Sequence, residues 1–222
     1  MLFTAKMLTV LKFFGLAFTA LLPVVNPLGS ALVFLGLVGF VPSEVISSLA
    51  RRIAVSTTLF FFVIELVGSA VLRFFGISLP VVQVAGGFVL AAMGWELLHD
   101  SDSASMKDVA PQDFRSLDAK IFYPFTFPVT AGPGCIVIML TLSAHASGGD
   151  LFQNTLAHLG IALAVVVISV SVFLCYRYAI RITQKITPET VHGILRVVAF
   201  ILLCIGVQIA WKGIENLIRS LK

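Results

Sequence analysis

The sequence predicts an all-α, polytopic membrane protein with six transmembrane helices. We expect an inverted repeat of three plus three helices, in which helices 1 and 4 are broken at mid-membrane. The first observation is composition: 59% of the 222 residues are hydrophobic and 12% are charged, whereas a soluble domain averages about 45–50% and 25%. The second is a series of uncharged windows long enough to cross a bilayer. The third is that two of these windows contain proline and glycine near their centres.

Composition and charge exclude several other classes of protein. A soluble globule this apolar would expose large hydrophobic patches, so lipid must be its main solvent. The net charge of +4 comes from dispersed Lys and Arg without interleaved aromatics, so we expect no nucleic-acid partner. The three cysteines lie singly in apolar stretches, which favours packing roles over a disulfide or metal site. We expect no cofactor.

Six spans follow from the uncharged windows. A helix needs about 20 residues to cross the hydrocarbon core. The predicted spans cover residues 13–41, 53–72, 77–98, 121–144, 155–176 and 194–214. The first is read as a retained span, because it continues past the roughly 7–15 apolar residues of a signal peptide. In the third, Gly87-xxx-Ala91 predicts close packing against another helix.

The first and fourth windows are too long for one straight helix. As helix, the uncharged run from Phe13 to Ser43 would measure about 46 Å. "NPLG" at 26–29 interrupts the first window, and "PFTFPVTAGPG" at 124–134 interrupts the fourth. Proline lacks an N–H and clashes with the preceding turn. Broken backbone at membrane depth survives only beside protein or a water-filled cavity.

The two breaks head two comparable halves. Residues 1–98 form the first transmembrane repeat, residues 99–120 a cytoplasmic linker, and residues 121–222 the second repeat. Three spans per half is an odd number, so the second half must enter the membrane inverted, as in many secondary transporters. Eight Lys and Arg fall in the predicted inner loops against six outside. This bias places both termini on the outer side of the membrane.

The breaks supply a candidate binding site. A restarting helix has unpaired N–H groups that carry partial positive charge, here predicted for Gly29 and Ser30, and for Gly134, Cys135 and Ile136. Two such ends meeting at mid-membrane would bind an anionic group such as a carboxylate. The alternative is two structural kinks. The candidate substrate-binding residues are Asn26, Pro27, Gly29, Ser30, Thr130, Ala131, Gly132, Pro133 and Gly134.

Glu65 is the one acidic or basic residue deep inside a predicted span. At the bilayer centre its ionised form would cost about 2.5–3.5 kcal/mol, so it should face the protein interior. It is our candidate for coupling a proton or Na⁺, and a structural network is the alternative. The four histidines have no i,i+4 partner and no acidic neighbour in sequence, so we expect no metal site.

Several motifs together resemble the MarC family. They are "NPLGSALVFLGL" (26–37), "FFGISLPVVQVAGGFVLAAMGWELL" (74–98), "FPVTAGPGCI" (127–136) and "ILRVVAFILLCIGVQIAWKGI" (194–214). The resemblance implies a six-span inner-membrane protein, and some relatives are thought to move neutral amino acids such as alanine or glycine. The motif positions matched here are Asn26, Pro27, Gly29, Gly86, Gly87, Pro128, Ala131, Gly132, Pro133, Gly134, Arg196, Gln208 and Gly213. The chain departs from the family pattern at 30–32 and at Glu65.

These observations lead to one main functional hypothesis and two others. The main one is a secondary transporter for small neutral amino acids that works by alternating access. The expected partners are the amino acid, a coupling proton or Na⁺, the lipid bilayer and a second copy of the chain in a homo-oligomer. The second hypothesis is a membrane scaffold or regulatory protein with purely structural breaks. An enzyme is not expected, because no nucleophile–base or metal constellation occurs.

Overall fold

The computed structural model describes residues 2–39, 41–99, 117–147, 150–185 and 187–220. Throughout these ranges the regular structure is helical. The first half contains α1 (Leu2–Val25), α2 (Pro27–Val38), α3 (Ser43–Phe74) and α4 (Leu79–His99). The second half contains α5 (Ile121–Thr130), α6 (Pro133–Ala146), α7 (Leu151–Arg177), α8 (Ala179–Lys185) and α9 (Pro188–Ser220).

These helices supply the six predicted spans. Helices α1 and α2 together form one span, Lys6–Val38, and α3, α4 and α7 each form another. Helix α9 contains the span His192–Ser220, and α5 and α6 form a bent pair whose axes differ by 72°. The all-α, polytopic class is therefore confirmed. The inverted repeat stays a prediction.

Two helices are much longer than predicted. We expected spans at 53–72 and 194–214, whereas α3 covers Ser43–Phe74 and α9 covers Pro188–Ser220. Charged residues such as Glu44 and Arg51 end an apolar window, but they do not end the hydrogen bonding of a helix, which continues into water. Most of the predicted linker, residues 100–116, lies outside the described ranges.

Helices α4 and α9 pack through their backbones. A Cβ built on Gly87 would lie 2.4 Å from the Ala210 nitrogen and 2.6 Å from the Gly206 oxygen. A Cβ on Gly94 would lie 2.6 Å from the Leu203 nitrogen. The earlier residue of α4, Gly87, contacts the later part of α9, and Gly94 contacts the earlier part, so the two helices are antiparallel. Small residues at an interface allow this approach, and dispersion between the two backbones then holds the pair in lipid.

Helix α7 forms the centre around which the broken spans are arranged. It contacts α1, α2, α3 and α6. Gly160 allows α1 to pack closely against α7, since a Cβ on Gly160 would lie 2.5 Å from the Val10 carbonyl oxygen. Nearby, the Lys6 ammonium sits 4.7 Å from the centre of the Phe152 ring. Helix α7 thus holds α2 and α6 on the same side of the bundle as α1.

Candidate functional site

The first break is a single residue. Asn26 adopts φ 43° and ψ 67°, a left-handed conformation that its short polar side chain tolerates. Its N–H donates to the Leu22 carbonyl at 2.9 Å, and its own carbonyl accepts from the Ser30 N–H at 2.9 Å. Pro27 occupies the first helical position of α2, where no N–H is needed. The helix is thus interrupted at Asn26 without stranding the hydrogen-bonding groups of these residues.

The Asn26 side chain caps the N-terminus of α2. Its Oδ1 accepts a hydrogen bond from the Gly29 N–H at 3.2 Å, and the Ser30 hydroxyl donates to the Asn26 carbonyl at 3.0 Å. The expectation that the Gly29 and Ser30 amides are unpaired is therefore wrong. The left-handed turn places the side-chain oxygen over the helix end, as an N-cap does. A ligand carboxylate can reach the Gly29 amide only by displacing this oxygen.

The second break is longer and bends the chain sharply. Tyr123 and Phe127 leave helical geometry, because each precedes a proline that disfavours it. Between them the backbone is widened, with the Phe125 N–H bonded to the Lys120 carbonyl at 3.2 Å and the Ala131 N–H to the Thr126 carbonyl at 2.8 Å. Helix α6 then starts at an angle of 72° to α5. Helix 4 is thus broken, as predicted.

Threonine hydroxyls and an uncapped helix end complete the second break. Thr126 donates to the Ile121 carbonyl at 2.8 Å and Thr130 to the Phe125 carbonyl at 2.6 Å. Gly132 provides α6 with no side-chain cap. The expectation that the Cys135 amide is unpaired is wrong, since it donates to the Gly132 carbonyl at 3.0 Å. The Gly134 amide directly follows Pro133 at this uncapped helix end.

The structure brings the two breaks together. A Cβ built on Gly134 would lie 3.2 Å from the Val24 side chain, two residues before Asn26. The Tyr176 hydroxyl of α7 lies 2.7 Å from the Thr130 hydroxyl and has the Ser30 side chain beside it. Tyr176 is fully buried. One hydroxyl therefore links residue 30 of the first break with residue 130 of the second.

An aromatic stack holds Tyr176 in place. Its ring stacks on Phe34 of α2, with 4.6 Å between ring centres and 19° between planes. Phe34 in turn meets Phe125 of α5 edge to face, at 5.4 Å. Such contacts are worth about 0.5–1.5 kcal/mol each beyond the burial of apolar area. The stack fixes α2 and α5 relative to α7, next to the hydroxyl bridge.

Replacing Tyr176 with phenylalanine tests the bridge. The ring contacts would remain, but the hydroxyl between Ser30 and Thr130 would be lost. We expect a loss of about 1 kcal/mol in the free energy of unfolding, measured by chemical unfolding in detergent micelles. Tyr178→Phe, two residues later, is the matched control, since Tyr178 is exposed. Equal stability of Tyr176→Phe and the wild type would show that the bridge contributes nothing.

Residues of α4 and α9 border the site. A Cβ on Gly134 would meet the Leu90 side chain at 2.1 Å, and one on Gly132 would meet the Met93 methyl at 3.7 Å. A Cβ on Gly29 would lie 3.0 Å from the Leu195 side chain. Of the nine predicted site residues, Asn26 is half-buried, Pro133 is exposed and the other seven are buried. The glycines thus pack directly against apolar side chains.

Glu65 does not join the breaks. It lies on α3 with its Oε1 2.8 Å from the Nδ1 of His158 on α7. The fold gives His158 an acidic neighbour that the sequence does not place beside it, because 93 residues separate the two. Within the described part of the chain, no three His, Cys, Asp or Glu side chains are grouped to hold a metal ion. The sequence analysis also missed Tyr176, because an isolated tyrosine near the end of a span gives no sign of a role in a site.

Comparison with known proteins extends over nearly the whole chain. Residues 11–218 match the family model described as MarC family integral membrane protein. Three relatives are named UPF0056 inner membrane protein MarC. Those of Salmonella typhimurium, Citrobacter koseri and Escherichia coli O1:K1 / APEC are 28%, 29% and 29% identical, over 96% of this chain and 99% of each relative. No solved structure matches the chain.

Proposed function

The chain belongs to the MarC family of integral membrane proteins, and from this premise we propose that it is a secondary transporter for small neutral amino acids such as alanine or glycine. It is a multi-pass protein of the inner membrane. One observation carries the proposal: two helix breaks from different halves of the chain lie side by side and share the Tyr176 hydroxyl. Paired breaks of this kind form the substrate sites of several transporter folds.

The N-terminus of α6 is the proposed carboxylate site. It lacks a side-chain cap, and the helix dipole adds partial positive charge there. The Gly134 amide would donate to the carboxylate. Gly132 has no side chain to obstruct the approach of the carboxylate, whereas a Cβ at this position would lie 3.2 Å from the Pro128 carbonyl oxygen. The Asn26 oxygen bonded to the Gly29 amide occupies the position that a second carboxylate oxygen would take.

The surroundings of the breaks favour a small and uncharged substrate. The nine proposed site residues contain no charged side chain, and burying an unpaired charge is expensive. Leu90, Met93 and Leu195 approach the glycines closely, so a substrate bound beside them would need a small side chain, hydrogen or methyl. Carbonyl oxygens at the widened backbone of α5 would accept hydrogen bonds from the substrate ammonium group.

Alternating access would use the cap of α2 as part of the switch. The Asn26 side chain accepts the hydrogen bond of the Gly29 amide. A substrate carboxylate that replaces the Asn26 oxygen would release this side chain and favour a second arrangement of the helices at the break. Differential contacts of this kind are what allow a ligand to shift a conformational equilibrium.

Counterflow in proteoliposomes tests the proposal. Vesicles loaded with unlabelled alanine should accumulate radiolabelled alanine or glycine with saturable kinetics. Leucine should compete weakly, and lysine and glutamate should not compete, because the site has no partner for their charges. Protein-free liposomes give the background. Absence of saturable counterflow for every common amino acid would refute the proposal.

A non-transporting scaffold or regulatory protein is the second candidate function. One observation favours it: the amides of Gly29 and Ser30 are already paired within the chain, as they would be in a purely structural kink. The same counterflow assay separates the two candidates. A scaffold would give only background, together with breaks that tolerate substitution as long as the protein stays folded.

A further inference from the structure

We propose that Glu65 and His158 form a proton-binding site that couples proton movement to transport, an inference that rests on the proposed function. The pair lies away from the breaks, at the end of the bundle where α6 stops and α7 starts. The carboxylate is on α3 and the imidazole on α7, and α6 lies between the proposed substrate site and the pair. Three features support the proposal: the contacts, the burial of the carboxylate and the connection through α6.

Hydrogen bonds connect Glu65, His158, Ser147 and Ser143, two of them between side chains and two to backbone carbonyls. Glu65 Oε1 lies 2.8 Å from His158 Nδ1, and His158 Nε2 lies 3.3 Å from the Ser147 hydroxyl. Ser147 donates to the Ser143 carbonyl at 2.9 Å, and the Ser143 hydroxyl donates to the Glu65 carbonyl at 3.2 Å. Both nitrogens of the imidazole are thus placed for proton transfer, one toward the carboxylate and one toward the bundle surface.

The two side chains of the pair differ in burial. The side chain of Glu65 is 5% exposed, whereas that of His158 is 34% exposed. The second carboxylate oxygen, Oε2, is buried without a hydrogen-bond partner. A buried carboxylate with an unpaired oxygen is unfavourable when ionised. A carboxylate beside a neutral imidazole carries one negative charge, so the pair becomes neutral when it binds one additional proton. His158 connects that proton to the surface.

The transfer itself is a simple step. A proton from the aqueous phase binds His158 Nε2, and the imidazolium passes its Nδ1 proton to Glu65 Oε1. The products are a neutral imidazole that keeps its proton on Nε2 and a neutral carboxylic acid. Release runs in the opposite direction. No further reactant is needed.

The other titratable groups nearby are engaged elsewhere. On α6, His145 Nδ1 lies 2.7 Å from the Thr141 carbonyl. Asp150, which precedes α7, accepts from the Gln153 N–H at 2.7 Å. Lys6 of α1 lies over the Phe152 ring. His158 is the titratable side chain that contacts Glu65, so proton exchange at the pair depends on these two side chains.

The chemistry of the pair favours a proton over Na⁺. Hard cations prefer several oxygen ligands, whereas Glu65 Oε1 faces an imidazole nitrogen. The Ser143 hydroxyl contacts the Glu65 backbone carbonyl rather than the carboxylate. A bound cation would therefore have to displace His158, while a proton uses the geometry that exists.

Helix α6 connects the proton pair to the substrate site. Gly134 lies at its N-terminus and Ser143 contacts Glu65 nine residues later, about 14 Å along the axis. Gly68, one turn after Glu65, packs on α6 as well, since a Cβ there would lie 2.3 Å from the Leu140 side chain. A change of charge at Glu65 is thus placed to shift the helix that carries the carboxylate site.

Infrared spectroscopy tests proton binding without any substrate. In pH-difference spectra of the reconstituted protein, we expect a protonated-carboxyl band that disappears in Glu65→Gln. Glu44→Gln, an exposed position on the same helix, should keep it. His158→Gln should move the pH at which the band appears and serves as the second variant if Glu65→Gln does not fold. A wild-type spectrum without this band, or a band that survives Glu65→Gln, would overturn the proposal.

A transport measurement tests the coupling. An alanine gradient across proteoliposomes containing a pH-sensitive dye should move protons with alanine in the wild type. In Glu65→Gln, the number of protons moved per alanine should fall at least about tenfold, and in Glu44→Gln it should not change. A wild-type counterflow with an unchanged ratio in Glu65→Gln would overturn coupling while leaving transport intact. Absence of any counterflow would instead overturn the proposed function, and coupling with it.

Discussion

Gly87→Leu is expected to prevent α4 and α9 from packing and to leave little folded protein. Even a single added carbon at this position would lie 2.4 Å from the Ala210 nitrogen and 2.6 Å from the Gly206 oxygen. Both atoms belong to helix backbone, which cannot rotate away as a side chain can. Overpacking in a core costs about 1–3 kcal/mol and more where the backbone must move. We expect the upper end of that range for Gly87→Ala, and a larger loss for Gly87→Leu.

The measurement is chemical unfolding in detergent, with the yield of monodisperse protein as a second readout. Gly36→Ala is the matched control, because a Cβ on Gly36 would meet nothing within 4 Å. Alanine favours helix by about 1 kcal/mol over glycine, so this control should be neutral or slightly more stable. If Gly87→Ala proved as stable as Gly36→Ala, close backbone contact between α4 and α9 would be refuted.

Gly29→Ala is expected to abolish most of the transport activity while the protein stays folded. The added Cβ would lie 2.2 Å from Asn26 Nδ2 and 2.8 Å from its Cγ. The Asn26 side chain must therefore leave its cap, which costs about 1 kcal/mol of stability. The methyl group would also stand where the substrate carboxylate has to approach the Gly29 amide. We expect counterflow to fall about tenfold or more, equivalent to at least 1.4 kcal/mol of transition-state binding.

Gly36→Ala is again the control, since it places the same substitution about two turns further along α2 without a steric contact. Initial rates of alanine counterflow and unfolding midpoints should be measured on the same preparations. Gly29→Ala with wild-type counterflow would exclude the first break from the substrate site. A loss of counterflow that merely follows a loss of folded protein would equally count against a binding role for Gly29.

The sequence alone determined the class of the protein, its six spans and the positions of both breaks. These properties depend on local chemistry. A run of apolar residues partitions into lipid whatever it later contacts, and a proline removes a hydrogen bond at its own position in any fold. Asn26-Pro27 and the prolines of 124–134 therefore marked the interruptions directly. Helix ends were less predictable, because charge limits an apolar window and not the helix.

The tertiary structure alone decided what the breaks and the polar residues contact. That Asn26 caps its own helix depends on a left-handed turn, which residue type permits but does not dictate. Tyr176 meets Thr130 across 46 residues, and His158 meets Glu65 across 93. Gly87 marked a close packing surface in the sequence, but only the fold identified Gly206 and Ala210 as its partners. Contacts between distant segments are set by how whole helices pack, and no local pattern records that choice.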